Sequence, residues 1–175
     1  MTVPPQIHPD RLIRVSAQED FVIGCNNAWT GYQHWLAQCL PAIAWCLSRS
    51  RTRPARLVLP ELTGWQEETL DLLGYRDVPR LVLQPGRQYF LPHVEYCDFL
   101  NDSTMFGVCH SRIQTALRLL ESAPIMPVPH RTLYVPRPGG SISNDGAVRD
   151  LMQQSGVCVI DGRPEHVVER LNLFR

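Results

Sequence analysis

The sequence predicts an α/β fold built on a mostly parallel sheet, and three observations carry that prediction. Short aliphatic runs recur: Phe21-Val22-Ile23-Gly24-Cys25, Leu57-Val58-Leu59, Leu81-Val82-Leu83, Leu133-Tyr134-Val135 and Val157-Cys158-Val159-Ile160. Segments with apolar residues at helical spacing lie between them. The turns are short and carry glycine or proline. Strands joined through helices become parallel neighbours, with helices covering both faces in three layers.

The elements follow in order. Residues 1–18 form a polar, proline-bearing lead-in with an extended piece at Leu12–Val15. The first strand, Phe21–Cys25, runs through Asn26-Asn27 into a helix over 30–48. That helix places Leu36, Leu40, Ile43 and Leu47 on one stripe, and Pro41 is expected to kink or split it. A basic turn, 49–56, precedes the strand at 57–59. Trp65–Leu73 reads as a short helix ended by Gly74. After the strand at 81–83 and a Pro85-Gly86 turn, Tyr89–Val94 is extended and interrupted by Pro92. Residues 103–121 read as a long helix striped by Met105, Val108, Cys109, Ile113, Ala116, Leu117 and Leu120. Pro124, Pro127 and Pro129 then make a loop. The last third is a clean strand–helix alternation: a strand at 133–135, a helix from Asn144 to Gln154 with Asp145 in its first turn, Gly156, a strand at 157–160, and a helix opened by Pro164.

A chain of 175 residues with 44% hydrophobic and 19% charged residues suits one folded domain over 1–175. Formal net charge is zero, which removes a global electrostatic drive onto nucleic acid or anionic lipid. No apolar run is long enough to span a membrane, and no secretory signal is visible at Met1–Pro5, so the expected location is cytoplasmic. Every basic residue is an arginine. Schiff-base chemistry and a lysine phosphate loop are therefore excluded, and anions must be met by guanidinium groups, backbone amides or histidine. Six cysteines form no C-x-x-C pair and read as reduced small hydrophobes; Cys39 and Cys46, seven apart, share a packing face. The histidines at 8, 34, 93, 110, 130 and 166 lack ligand spacing, so no metal site is expected.

The stretch Gly31-Tyr32-Gln33-His34-Trp35-Leu36-Ala37-Gln38-Cys39-Leu40-Pro41 carries the candidate chemistry. It opens a helix directly after a strand, where open α/β sheets place their binding crevice. Two readings of it stand. His34 and Trp35 belong either to a site, or to a satisfied local hydrogen bond and a filled core. Gln38 lies one turn beyond His34 and can orient the imidazole. Arg137, at the end of its strand, either meets phosphate in the crevice or pairs with an acid such as Asp145. Asn144 suits a helix cap as well as a ligand. Gly139-Gly140-Ser141 resembles an anion-binding turn but lacks phosphate-loop spacing.

Tyr32, His34-Trp35-Leu36 and Leu40-Pro41 together resemble the N-terminal signature of glycosyltransferase family 61. Three further stretches are similar to that family, in its order: Trp65–Gly74; Leu133–Arg137 followed by Asn144-Asp145, Gly156 and Val159; and Glu169–Phe174. The likeness covers roughly residues 20–174. It implies the Rossmann-like N-terminal domain of a two-domain, metal-independent, inverting GT-B enzyme. Such an enzyme moves a sugar from a nucleotide-sugar donor to a glycan or other hydroxyl acceptor, with no further cofactor. His34 then takes the catalytic position, and Trp35, Gln38, Arg137 and Asn144 the substrate-binding ones. This chain departs from the family pattern at Gln38, where an acid is usual, at Ser141 in place of an arginine, and at Arg170 in place of a glutamine. The family's His-Gly-Ala segment, in the donor-holding domain, would begin just past Arg175. The expectation is thus an acceptor-side half, inactive alone and prone to self-association unless another chain covers it. The alternative is a non-catalytic remnant or interaction module of the same fold, or an enzyme half completed by a partner.

Overall fold

Two central strands owe their place to sequences that are apolar on both faces. Phe21, Val22, Leu57, Val58 and Leu59 are all buried, the pattern expected of parallel strands with no solvent-facing side. In the computed structural model, described for residues 6–97, 110–125, 132–134, 136, 144–160 and 167–173, the chain divides into two compact units, Met1–Ser122 and Ala123–Arg175. The sequence-level expectation was one domain over 1–175.

In the first unit β1 (Leu12–Arg14) pairs in parallel with β5 (Gln88–Phe90). The main sheet contains β2 (Asp20–Ile23), β3 (Ala55–Leu59), β4 (Arg80–Val82) and β6 (Val94–Glu95), all parallel, in the order β4-β3-β2-β6. Val22 stands beside Leu57 on one side and Glu95 on the other. The chain moves outward from β2 to β3 to β4, then returns to place β6 on the opposite side of β2. The strand order therefore reverses between β2 and β6. In open parallel sheets the ligand crevice lies at the carboxyl ends of the strands flanking such a reversal.

After β2 the helical run begins with α1 (Tyr32–His34), continues as a π-helical stretch over Trp35–Cys39, and ends as α2 (Leu40–Leu47). The run is not split at Pro41; this wide turn precedes the proline instead. The Leu40 N–H reaches back five residues to the Trp35 carbonyl. A proline ring clashes with the carbonyl four residues earlier in a regular α-helix, and widening the turn before Pro41 relieves that clash without ending the helix. Trp35, Cys39, Leu40, Ala42, Ile43 and Cys46 are buried, so Cys39 and Cys46 do pack inward.

Helix α3 (Gly64–Leu72) starts at a capping box: Gln66 Oε1 accepts hydrogen bonds from the Thr63 N–H at 3.0 Å and the Thr63 hydroxyl at 2.9 Å. It closes at Gly74 with the reciprocal Gly74-to-Asp71 and Tyr75-to-Leu70 bonds. Helix α4 (His110–Ser122) packs on α2 and α3. Among its described side chains Thr115 and Leu119 are buried, whereas Ile113 and Leu117 are 43% and 49% exposed. The inward face thus differs from the stripe read from sequence. Met105, Val108 and Cys109 of that stripe lie outside the described residues. Three of the four arginines of the basic turn are paired in place: Arg51 with Glu95, Arg53 with Asp20 and Arg56 with Glu19.

In the second unit β7 (Leu133–Tyr134) and β8 (Cys158–Val159) are parallel and joined through α5 (Asp145–Gln154). Helix α5 closes at Gly156 with the same pair of bonds seen at Gly74. Helix α6 (Val167–Leu173) follows, its Asn172 amide donating to the Pro124 carbonyl at 2.9 Å. No helix among the described residues is long and apolar enough to cross a membrane.

Candidate functional site

The loop between β2 and α1 starts from a tight contact and ends in a polar cluster. At Gly24, directly after β2, an added Cβ would lie 2.7 Å from Leu59 Cδ2 and 3.0 Å from Ile43 Cγ1. Strand, neighbouring strand and helix are thus drawn together where the loop leaves the sheet. Asn26 then folds back on the chain, its Oδ1 accepting the Ala28 N–H at 3.0 Å, the local bond that makes Asn a turn residue. Accepting there fixes which end of the Asn26 amide is which. The Nδ2 donates to Gln38 Oε1 at 2.8 Å.

Gln38 is 8% exposed and belongs to the π-helical stretch. Its Oε1 also lies 2.9 Å from His34 Nδ1. The i,i+4 contact foreseen between His34 and Gln38 is therefore made. A carbonyl oxygen accepts only, so Nδ1 carries the proton in the neutral ring, and Nε2 keeps its lone pair. His34 is solvent-exposed, and no described residue bonds its Nε2. Gly31 allows the ring to sit close to the backbone: a Cβ there would lie 3.1 Å from His34 Cδ2 and 3.2 Å from the Ala28 carbonyl.

Trp35 takes the other role weighed for it. It is completely buried, and its indole N–H donates to Thr69 Oγ1 at 2.8 Å. Thr69 in turn donates to the Gln66 carbonyl at 2.7 Å, and Gln66 Nε2 donates to the Trp29 carbonyl at 2.9 Å. The Trp35 ring meets Trp65 edge-on at 6.3 Å, and Tyr32 lies 5.1 Å from Trp65. A ring with no exposed surface cannot touch a substrate, so direct binding by Trp35 gives way to anchoring. It ties the helix that carries His34 to α3. Gln38 is buried as well, with its Oε1 against the His34 ring.

Arg137 lies outside the described residues. Asn144 stands at the start of α5 as expected, but its side chain makes no capping bond. Asp145, the acid considered for Arg137, pairs with Arg149 at 2.7 Å and accepts a 3.4 Å bond from the Tyr134 hydroxyl. Among the described residues no group of His, Cys, Asp and Glu could hold a metal ion. The thiols near the helical run are inert: burial pushes Cys25 and Cys46 up to about 11 and Cys39 up to about 12, so none is a ready nucleophile.

Sequence reasoning passed over Asn26 and Thr69. Asn26 had one available signal, a turn-forming Asn in a strand–helix loop. Thr69 had none, because its role depends on where Trp35 lands. The chain matches no known family model, no curated protein and no solved structure.

Proposed function

We propose that this protein supplies the acceptor-side half of a glycosyl-transfer site, as the resemblance to glycosyltransferase family 61 implies, with His34 as the base. One observation supports this above the others: an exposed imidazole stands after β2, beside the reversal of strand order, with Nδ1 engaged and Nε2 open. In the proposed reaction Nε2 takes the proton of the acceptor hydroxyl as its oxygen attacks the anomeric carbon of the nucleotide sugar. The bond to the nucleoside diphosphate breaks and its electrons leave with that group. The Gln38 carbonyl, held against Nδ1–H, stabilises the resulting imidazolium without a carboxylate, and the proton passes on to water.

The test is transfer from a panel of nucleotide sugars to simple saccharide acceptors, using the product of the complete reading frame. His34→Ala is expected to lower turnover about 10²–10⁴-fold with the fold intact. A wild-type rate in that variant removes His34 as base. If no donor supports transfer and no saccharide moves the His34 imidazole signals in NMR titration, the interaction-module reading replaces this one. That reading draws on the exposed apolar side chains Val82, Phe90, Val94 and Tyr96.

A further inference from the structure

We propose that Asn26 is a positioning residue that sets the tautomer of His34 through Gln38. The inference rests on the reading of His34 as a base for its purpose, but not for its geometry. Three bonds in series carry it: the Ala28 N–H to Asn26 Oδ1 at 3.0 Å, Asn26 Nδ2 to Gln38 Oε1 at 2.8 Å, and His34 Nδ1 against the same Oε1 at 2.9 Å. Each bond fixes the polarity of the next. A backbone N–H can only donate, so the Asn26 oxygen faces it and the Asn26 NH₂ faces Gln38. That NH₂ can only donate, so the Gln38 oxygen faces it. The same oxygen faces the imidazole, so Nδ1 is the protonated nitrogen. An unconstrained neutral imidazole favours the opposite tautomer, with the proton on Nε2. Such a ring offers an acceptor hydroxyl a donor instead of a base. A backbone amide in the loop after β2 thus determines, two side chains away, which nitrogen of His34 is basic.

The arrangement makes an unusual demand on a nearly isosteric change. In Asn26→Asp one carboxylate oxygen keeps the Ala28 bond and the other faces Gln38. The Gln38 amide must then turn over to donate its NH₂ to the carboxylate, which leaves that NH₂ facing Nδ1. His34 Nδ1 becomes an acceptor, and the proton moves to Nε2. The tautomer inverts while the three contacts of the relay are kept.

The experiment is ¹⁵N–¹H correlation of the imidazole rings in the 175-residue protein, at mildly alkaline pH where an ordinary imidazole is neutral. His34 is assigned by its absence in His34→Ala. The wild type is expected to hold mainly the Nδ1–H form, a shift of roughly fivefold or more from the unconstrained ring, the effect of one net hydrogen bond. Asn26→Asp is expected to reverse the preference. A wild-type ring mainly in the Nε2–H form, or an Asn26→Asp ring still mainly Nδ1–H, overturns the proposal. Should Asn26→Asp fail to fold, Gln38→Leu removes the shared acceptor and is expected to return His34 to the Nε2–H form; no change there overturns it equally. The readout needs no turnover. If the tautomer inverts and transfer is unaffected, the positioning role stands and the base assignment falls.

Discussion

Replacing Trp35 by Phe, alone and with Thr69→Val, measures how firmly the helix carrying His34 is anchored. The indole is fully buried and its N–H donates to Thr69 Oγ1 at 2.8 Å. Phenylalanine keeps a ring but removes the donor and part of the volume. The lost hydrogen bond is worth about 1 kcal/mol, and the incompletely filled space adds about 1–2 kcal/mol, so Trp35→Phe is expected to cost about 2–3 kcal/mol. Thr69→Val keeps the shape but strands a buried indole N–H, at about 1–3 kcal/mol. In the double variant neither polar group is left without its partner, and its cost falls short of the sum by about 1 kcal/mol. Urea unfolding followed by tryptophan fluorescence is the assay. All four tryptophans, Trp29, Trp35, Trp45 and Trp65, lie in the Met1–Ser122 unit, so the signal reports that unit, and three remain after the substitution. Costs that add within about 0.3 kcal/mol would refute the shared bond.

Gly24→Ala forces a Cβ to 2.7 Å from Leu59 Cδ2; overpacking of this kind is expected to cost about 1–3 kcal/mol in the same unfolding assay, and an unchanged midpoint would show that strand and helix are not in tight contact there. The buried thiols predict a pH dependence. Cys25 and Cys46 are raised to about 11 and Cys39 to about 12 from an ordinary value near 9, so above pH 9 the unfolded chain releases protons that the folded one retains. Stability is then full below pH 9 and falls as pH rises toward 11–12. A urea midpoint that is flat or rising over that range, or a slope unmoved by Cys39→Ala, contradicts it.

The strands were legible because burial on both faces demands continuous apolar runs, as at Val22 and Leu57-Val58-Leu59, and parallel pairing follows from the helices between them. The His34–Gln38 contact was legible for a similar reason, since four residues is one helical turn. Helix α4 shows where such reasoning stops. Apolar residues lie on more than one side of it, and only packing against α2 and α3 decides that Thr115 and Leu119 face inward while Ile113 and Leu117 do not. The turn role of Asn26 was open to reading, but its bond to Gln38 was not, because that partner, twelve residues away, is supplied by tertiary structure. Trp35 was ambiguous because its residue type suits a core and a binding surface equally well.

The wide turn over Trp35–Cys39 also sets an angular relation along the helix. A π turn holds one more residue than the α turn it replaces, and each α-helical residue advances about 100° around the axis. The segment bearing Tyr32 and His34 is therefore about one residue out of phase with the segment bearing Leu40, Ile43 and Cys46. Were Ala37 excised and the run tightened to regular α geometry, the downstream face would stay seated on β2 while His34 swung about 100° around the axis. The length of this stretch, quite apart from its composition, is what points the imidazole.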